Sequence, residues 1–412
     1  MNGNDRAIVT FTGVAHALVH TYELSIPILV VVWLTEFPVT TALLGTVVAV
    51  GYALFGIGAL PGGVLADRLG PNRLVTGCLA GMGGSFLLLS VAPGIPTIAL
   101  ALALWGVSAS VYHPSGLALI STGVQDRGSG FAYHGMAGNA GIALGPLLTA
   151  VLLLAFDWRL VTALLVLPAG LAVLYATTVE FDATAAVSAD GGTPDDAPAG
   201  LAGFLANSRA LFTAGFTVAL LVVMSNGLFY RGILTFLPDV LGGFLPPVTD
   251  YVRVFEPGSP LAEKFDLASY LYAGLLTVGI GGQYVGGKLT DRIPVEVGLL
   301  VLFGGLAVVS ALFVPAAQAG VVPLLAVSVA LGFLLFAVQP LYQATIAEYS
   351  PPGDRGLSYG YTYLANFGVG AAGAALAGYL LTVVDVQGTF LALAALPVVG
   401  VGFAALLWRL EG

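Results

Sequence analysis

The feature that most constrains this chain is a series of long stretches free of Asp, Glu, Lys and Arg. A helix that crosses a bilayer needs about 20 predominantly apolar residues. Residues 37–66, 128–156, 160–179, 210–230, 267–287, 357–384 and 386–408 each supply enough for one. Residues 74–125 run to double length and break at Pro93, Gly94 and Pro96, and residues 297–347 break between Pro315 and Pro323. Residues 7–35 add one more, interrupted only by Glu23. The pattern predicts an all-α integral membrane protein with twelve transmembrane helices. Composition agrees: 8% of residues are charged and 58% hydrophobic, against roughly a quarter charged in a soluble domain. In water such a fold would expose large apolar patches; lipid removes that difficulty.

Lys and Arg set the expected orientation. With both termini cytoplasmic, the inner side carries Arg6, Arg68, Arg73, Arg127, Arg209, Lys288, Arg292, Arg355 and Arg409. The outer side carries only Arg159, Arg253 and Lys264, and Arg231 falls within a span. Basic residues accumulate on the cytoplasmic side of membrane proteins, so a multi-pass protein of the plasma membrane is expected. The first segment is too long for a cleavable signal and carries Glu23 and two histidines, so it is expected to be retained. The net charge of −9 sits mostly in loops and suggests no nucleic-acid partner. A single cysteine, Cys78, leaves no intrachain disulfide and no cysteine-rich metal site. No metal or cofactor is expected. The expected partners are the bilayer, protons and a small-molecule substrate, with the protein acting as a monomer.

The chain also repeats itself. GVLADR at 63–68 recurs as GKLTDR at 287–292, and DRG at 126–128 recurs at 354–356. His113-Pro114 aligns with Gln339-Pro340, and Asn139 with Asn366. All four matches have offsets of 224–228 residues, which lays spans 1–6 over spans 7–12. A solenoid would repeat at shorter periods and more often. The expected organisation is a six-helix bundle over residues 1–179, a flexible acidic cytoplasmic linker over 180–209, and a second bundle over 210–412. Residues 238–266, with several prolines, read as one long outer loop.

Between spans 2 and 3 lies GVLADRLGPNR, residues 63–73. It resembles the signature loop of the major facilitator superfamily, with GKLTDR as its weaker copy. The resemblance implies the fold of that family, two pseudo-symmetric six-helix bundles. It also implies a cytoplasmic gate built from Gly63, Asp67, Arg68, Gly70, Arg73, Arg127, Asp291 and Arg292. Asp67 would face the start of span 11 near Gly356 and Leu357. In span 5, GNAGIALGPLL (138–148) places Gly138, Gly141 and Gly145 on one face, where a neighbouring helix can approach closely. That pattern resembles the span 5 motif of drug–proton antiporters in the superfamily, without its terminal Gly-Gly.

Polar residues inside the spans are costly in lipid and therefore informative. His16, His20 and Glu23 fall at i, i+4 and i+7, on one face of span 1. A carboxylate flanked by imidazoles is a candidate for proton coupling, and the plainer reading is a satisfied structural cluster. His113 ends span 4 in SVYHPSG, and span 5 adds His134 and Asn139. All four histidines thus fall in spans 1, 4 and 5. Span 7 carries Ser225, Asn226, Tyr230 and Arg231. Arg231 either snorkels to water or acts as a counter-charge to Glu23 or to an anion. Gln339 and Asn366 are the uncharged counterparts of His113 and Asn139, suited to hydrogen-bonding a substrate. The expected substrate contacts are His113, His134, Asn139, Arg231, Gln339 and Asn366.

VSASVYHPSGLALIS in span 4 and DRGSGFAYHGMAGNAGIALGPLLTA in span 5 look like the fosmidomycin-resistance branch of the superfamily. That resemblance implies proton-driven export of a small polar, anionic or drug-like molecule by alternating access. The chain departs from the branch at Val19 and His20, where an Asn-Asp pair is expected, and at His134, where a Gln is expected. Two further readings stay open: proton-coupled uptake of a small organic anion, and a transport-inactive sensor or scaffold. An intramembrane enzyme is not expected, because the sequence holds no HExxH, GxSxG or cysteine cluster.

Overall fold

A computed structural model describes residues 1–186, 200–245, 266–290, 292–350 and 355–411. Among these residues there is helix and no strand, as lipid requires when every backbone N–H and C=O must be satisfied within the segment. The first half contains Gly3–Glu36, Thr41–Ile57 with Ala59–Leu69, Pro71–Ser90, Ile95–Ser110 with Tyr112–Gly123, Arg127–Ala155 and Trp158–Thr178. The second contains Ala214–Gly242, Leu267–Thr290, Val295–Gln318 and Val321–Glu348. It is completed by an eleventh span running from Arg355 to Val383 in three pieces, and by Val386–Glu411. Eleven of these spans are long and apolar enough to cross a membrane. The remaining one, Leu267–Thr290, is long enough at 24 residues but is diluted by Gln283, three tyrosines and six glycines.

Local chemistry sets where the helices start. Asn2, Thr40, Asp126, Asp157 and Thr213 each accept a backbone N–H of the first turn that follows, satisfying donors that have no partner inside the helix. Gly70 has φ +84° and joins Ala59–Leu69 to the helix that begins at Pro71. A side chain there would be strained, so the tight turn read from the sequence depends on this glycine.

Spans 2 and 4 are each split where one continuous helix was expected. The breaks fall at Gly58 and Val111. Pro114 lies in the first turn of the second piece of span 4, a position where its missing N–H costs little. The last third of the expected linker also differs, because Gly200–Leu211 is helical. Phe204, Ser208 and Leu211 fall at i, i+4 and i+7, on one face, and Ser208 and Leu211 are buried. Span 7 continues through Pro238 to Gly242, so the outer loop starts later than the prolines suggest.

The packing follows the sequence repeat. Span 1 packs along span 5 and span 7 along span 11; span 2 packs on span 4 and span 8 on span 10; span 3 packs on span 6 and span 9 on span 12. The halves meet where span 2 runs along span 11, span 5 along span 8, and span 1 against span 7. Each seam between the halves maps onto another, or onto itself, when the halves are exchanged, which is the pseudo-two-fold relation the repeat predicts.

The span 1–span 5 seam explains the glycines of span 5. A Cβ on Gly138 would meet the ring of His16, and on Gly141 or Gly145 it would run into the carbonyls of Ala17 or Thr21. The bare face brings His16 within reach of span 5. Outside, Val322, Leu171 and Val91 stand 78%, 68% and 68% exposed, an apolar surface suited to lipid.

Candidate proton and substrate site

Span 1 carries the centre of the site. Its 3.6-residue period puts His16, His20 and Glu23 in one row, and all three are buried. Glu23 Oε2 lies 2.6 Å from His20 Nδ1, and His20 Nε2 lies 3.0 Å from His16 Nε2. His16 Nδ1 lies 2.8 Å from the His134 carbonyl on span 5. His134 stacks its ring on His16 at 3.9 Å between centroids and places Nε2 3.0 Å from the Tyr112 hydroxyl. Tyr112 in turn donates to the Thr12 carbonyl.

The other oxygen of Glu23 is taken by the second half, where Arg231 Nη2 donates to Oε1. Arg231 is 2% exposed, so of the two readings left open by the sequence the structure has the counter-charge and not the snorkelling cation. Its guanidinium lies 3.8 Å from the ring centroid of Tyr52 in span 2, 5.4 Å from that of Tyr230 and 5.3 Å from that of Phe367 in span 11. Aromatic faces attract a cation, and three of them make up for part of the water that Arg231 lacks. Tyr52 also donates to the Glu23 carbonyl at 3.4 Å.

His113 closes the cluster from span 4, with its ring 5.3 Å from that of His16 and 5.6 Å from that of His20. Span 11 covers it with Tyr363 at 4.7 Å and Phe367 at 6.0 Å. Phe367 and Asn366 belong to a π-helical segment, Leu364–Val369, a distortion often found at functional sites. Asn366 accepts from Asn226 Nδ2 at 3.2 Å. Arg231 Nε and Asn226 Oδ1 are buried and have no hydrogen-bond partner among the described residues.

His16, His20, Glu23, His113, His134 and Arg231 therefore form one cluster across the two halves, with Asn366 beside it. Two of the expected substrate contacts stand apart from it. Asn139 is half-buried and makes no hydrogen bond to the cluster among the described residues, and Gln339 accepts from Gln283 at 3.5 Å inside the second half. Tyr52, Tyr112, Tyr363 and Phe367 were not singled out from the sequence. Only Tyr112, next to His113 in SVYHPSG, lay within a motif.

Donors for a metal are gathered here as well. Nitrogens of His16, His20 and His113 lie within 4.8 Å of one another. The 3.0 Å between the two Nε2 atoms is nevertheless a hydrogen-bond length. Two nitrogens bound tetrahedrally to zinc at 2.0–2.1 Å would sit about 3.3 Å apart.

At the expected gate, Gly70 makes the turn, Gly63 is half-buried, and Arg68, Arg73 and Arg292 are exposed. The helix Ala59–Leu69 packs beside the start of span 11, where Leu60 meets Gly360. The side chains of Asp67 and Arg127, and Asp291 entirely, lie outside the described residues.

Twelve spans in two pseudo-symmetric halves, with ionisable groups buried where the halves meet, define a multi-pass membrane transporter. The sequence model of the Major Facilitator Superfamily matches residues 14–374 and 264–412, and the chain belongs to that family. It is 27% identical to the uncharacterized MFS-type transporter YfnC of Bacillus subtilis over 339 residues, 80% of this chain and 75% of that protein. It is 38% identical to the puromycin resistance protein pur8 of Streptomyces alboniger over 108 residues, 26% of this chain and 22% of that protein. That match spans less than a quarter of the relative's length. The fold is similar to that of a point mutant of the nucleoside transporter NupG, at TM-score 0.76 and 12% identity over 98% of this chain and 100% of that one. It is also similar to an inward-facing, occupied bacterial homolog of the human lysosomal transporter Spinster, at TM-score 0.71 and 14% identity over 99% and 98%.

Proposed function

We propose that the protein is a proton-coupled exporter of a small polar or drug-like molecule, working by alternating access with both termini in the cytoplasm of the cell. The observation that carries this reading is the chain His16–His20–Glu23–Arg231, in which titratable groups of one half hold the only buried basic side chain described in the other. Protonation at Glu23 would weaken its hold on Arg231 and free a guanidinium, with the spare donor Nε and the acceptor Asn226 Oδ1, for substrate. Proton and substrate binding are then linked through one pair, as a coupled cycle requires. The excess of Lys and Arg on one side supports the orientation. The antiporter-like glycine face and the similarity to a puromycin resistance protein support export.

The same guanidinium favours one second reading, uptake of a small organic anion together with protons, because a carboxylate or phosphonate matches its paired donors. The direction of coupling separates the two. Protein reconstituted in liposomes under an imposed pH gradient is expected to move fosmidomycin, puromycin or a small phosphonate against the proton flow. Movement with the protons would turn the assignment to uptake, and movement indifferent to the gradient would remove proton coupling. In the same assay Asp67→Asn is expected to slow transport while binding persists, and normal turnover would count against Asp67 as a gate residue.

A further inference from the structure

Resting on the proton-coupled reading above, we propose that the exchangeable proton is held between Nε2 of His16 and Nε2 of His20, and that Glu23 receives it only when substrate engages Arg231. The hydrogen-bond partners fix the tautomers. His16 Nδ1 faces the His134 carbonyl at 2.8 Å, and a carbonyl only accepts, so this nitrogen carries a hydrogen. His20 Nδ1 faces Glu23 Oε2 at 2.6 Å. Arg231 is charged in practically any environment, and its ion pair with Glu23 calls for the carboxylate, which also only accepts. His20 Nδ1 therefore carries a hydrogen too.

A neutral imidazole has one N–H. With both Nδ1 atoms protonated, two neutral rings would aim their Nε2 lone pairs at each other across 3.0 Å, with no hydrogen between them. One added proton turns that contact into a charge-assisted N–H···N bond.

The surroundings suit a single positive charge there. Span 5 presents the stacked face of His134, whose Nε2–H is committed to the Tyr112 oxygen because the Tyr112 proton goes to Thr12. Span 4 presents Tyr112 and His113, span 2 presents Tyr52, span 7 presents Arg231, and span 11 places Tyr363 behind His113. Glu23 and Arg231 cancel, so the shared proton is the only net charge of the cluster.

Its transfer balances without a co-reactant. His20 takes the proton at Nε2 and gives its Nδ1 proton to Glu23 Oε2, which leaves His16 and His20 neutral and Glu23 uncharged. Arg231 then loses its anionic partner and is left to the substrate that engaged it.

The protein has four histidines, few enough for 15N-imidazole NMR of the whole purified protein. The expected result, between about pH 5 and 8 where histidine chemistry falls, is one imidazolium pair with N–N coupling across the hydrogen bond. His16→Gln and His20→Gln should each abolish it and remove one titrating proton per molecule by potentiometry. The double variant Glu23→Gln/Arg231→Met, which leaves the net charge of the cluster unchanged, should keep it, since the amide oxygen still accepts from His20 Nδ1. Two neutral rings throughout that range would overturn the proposal, as would loss of the coupled pair in the double variant with both histidines intact. Absence of proton-driven transport by the unaltered protein, with the coupled pair still present, would instead remove only the reading on which the proposal rests.

Discussion

Arg231→Met is expected to abolish transport and to destabilise the fold by about 3–5 kcal/mol, the usual cost of removing one member of a buried ion pair. Glu23 is 1% exposed and would lose its guanidinium partner, keeping only His20 on its carboxylate. Glu23→Gln is expected to cost a comparable amount for the mirror reason, since it strands the guanidinium. The double variant Glu23→Gln/Arg231→Met should recover most of the stability and none of the transport, because an apolar replacement of a whole buried pair is often neutral. Cys78 is the single cysteine and is 1% exposed, so a thiol-reactive fluorophore that labels it on unfolding reports the melting temperature in detergent. Equal melting temperatures for the unaltered protein and both single variants would show that the pair adds nothing to the fold.

Gly141→Leu is expected to have the second large effect. A Cβ at this position has no room beside the Ala17 carbonyl, so the substituent must push span 1 away from span 5. Inserting methylenes into a well-packed core costs about 1–3 kcal/mol. Here the obstacle is backbone, which cannot swing aside as a side chain can, so the cost should reach the top of that range or exceed it. Displacing span 1 would also pull His16 from the His134 carbonyl and disturb the cluster from behind. Gly135→Leu, six residues earlier on the same helix with nothing within 4 Å of its Cβ position, is the control and should fold normally. Comparable yield and melting temperature for the two leucine variants would sink this account of the seam.

Much of the architecture was legible because lipid leaves a chain few choices. Charge-free stretches of the right length had to be spans, and four matches at nearly one offset had to be two related halves. The row of His16, His20 and Glu23 was legible for the same kind of reason, since helical period alone puts them on one face and burial obliges them to find partners. What stayed hidden depended on which span faces which. The pairing of Arg231 with Glu23 is a contact between halves, and a sequence read span by span leaves it as one option beside snorkelling. Tyr52, Tyr363 and Phe367 carry no signal of their own, because an aromatic residue in an apolar span looks the same whether it faces lipid or a guanidinium. The π-helical segment at Leu364–Val369 lies where Gly368 approaches Gly56 of the opposite half, and the break at Gly58 faces Ser110 of span 4, contacts that no single span reveals. For Asn139 and Gln339 the alignment of the halves pointed to equivalent positions, but equivalence in the repeat places a residue on a span without turning it toward the cluster.

The position of the Glu23–Arg231 pair along its helices has a mechanical consequence. Glu23 lies well inside the 34-residue helix Gly3–Glu36, and Arg231 well inside the 29-residue helix Ala214–Gly242. If the halves rock as the proposed alternating access requires, the ends of the levers travel far and the region near the fulcrum hardly moves. A bond at the fulcrum is not torn by the rocking. It resists neither opening strongly, and motion alone does not break it. Releasing it takes a change of charge, so a seesaw pinned in this way waits on a chemical event.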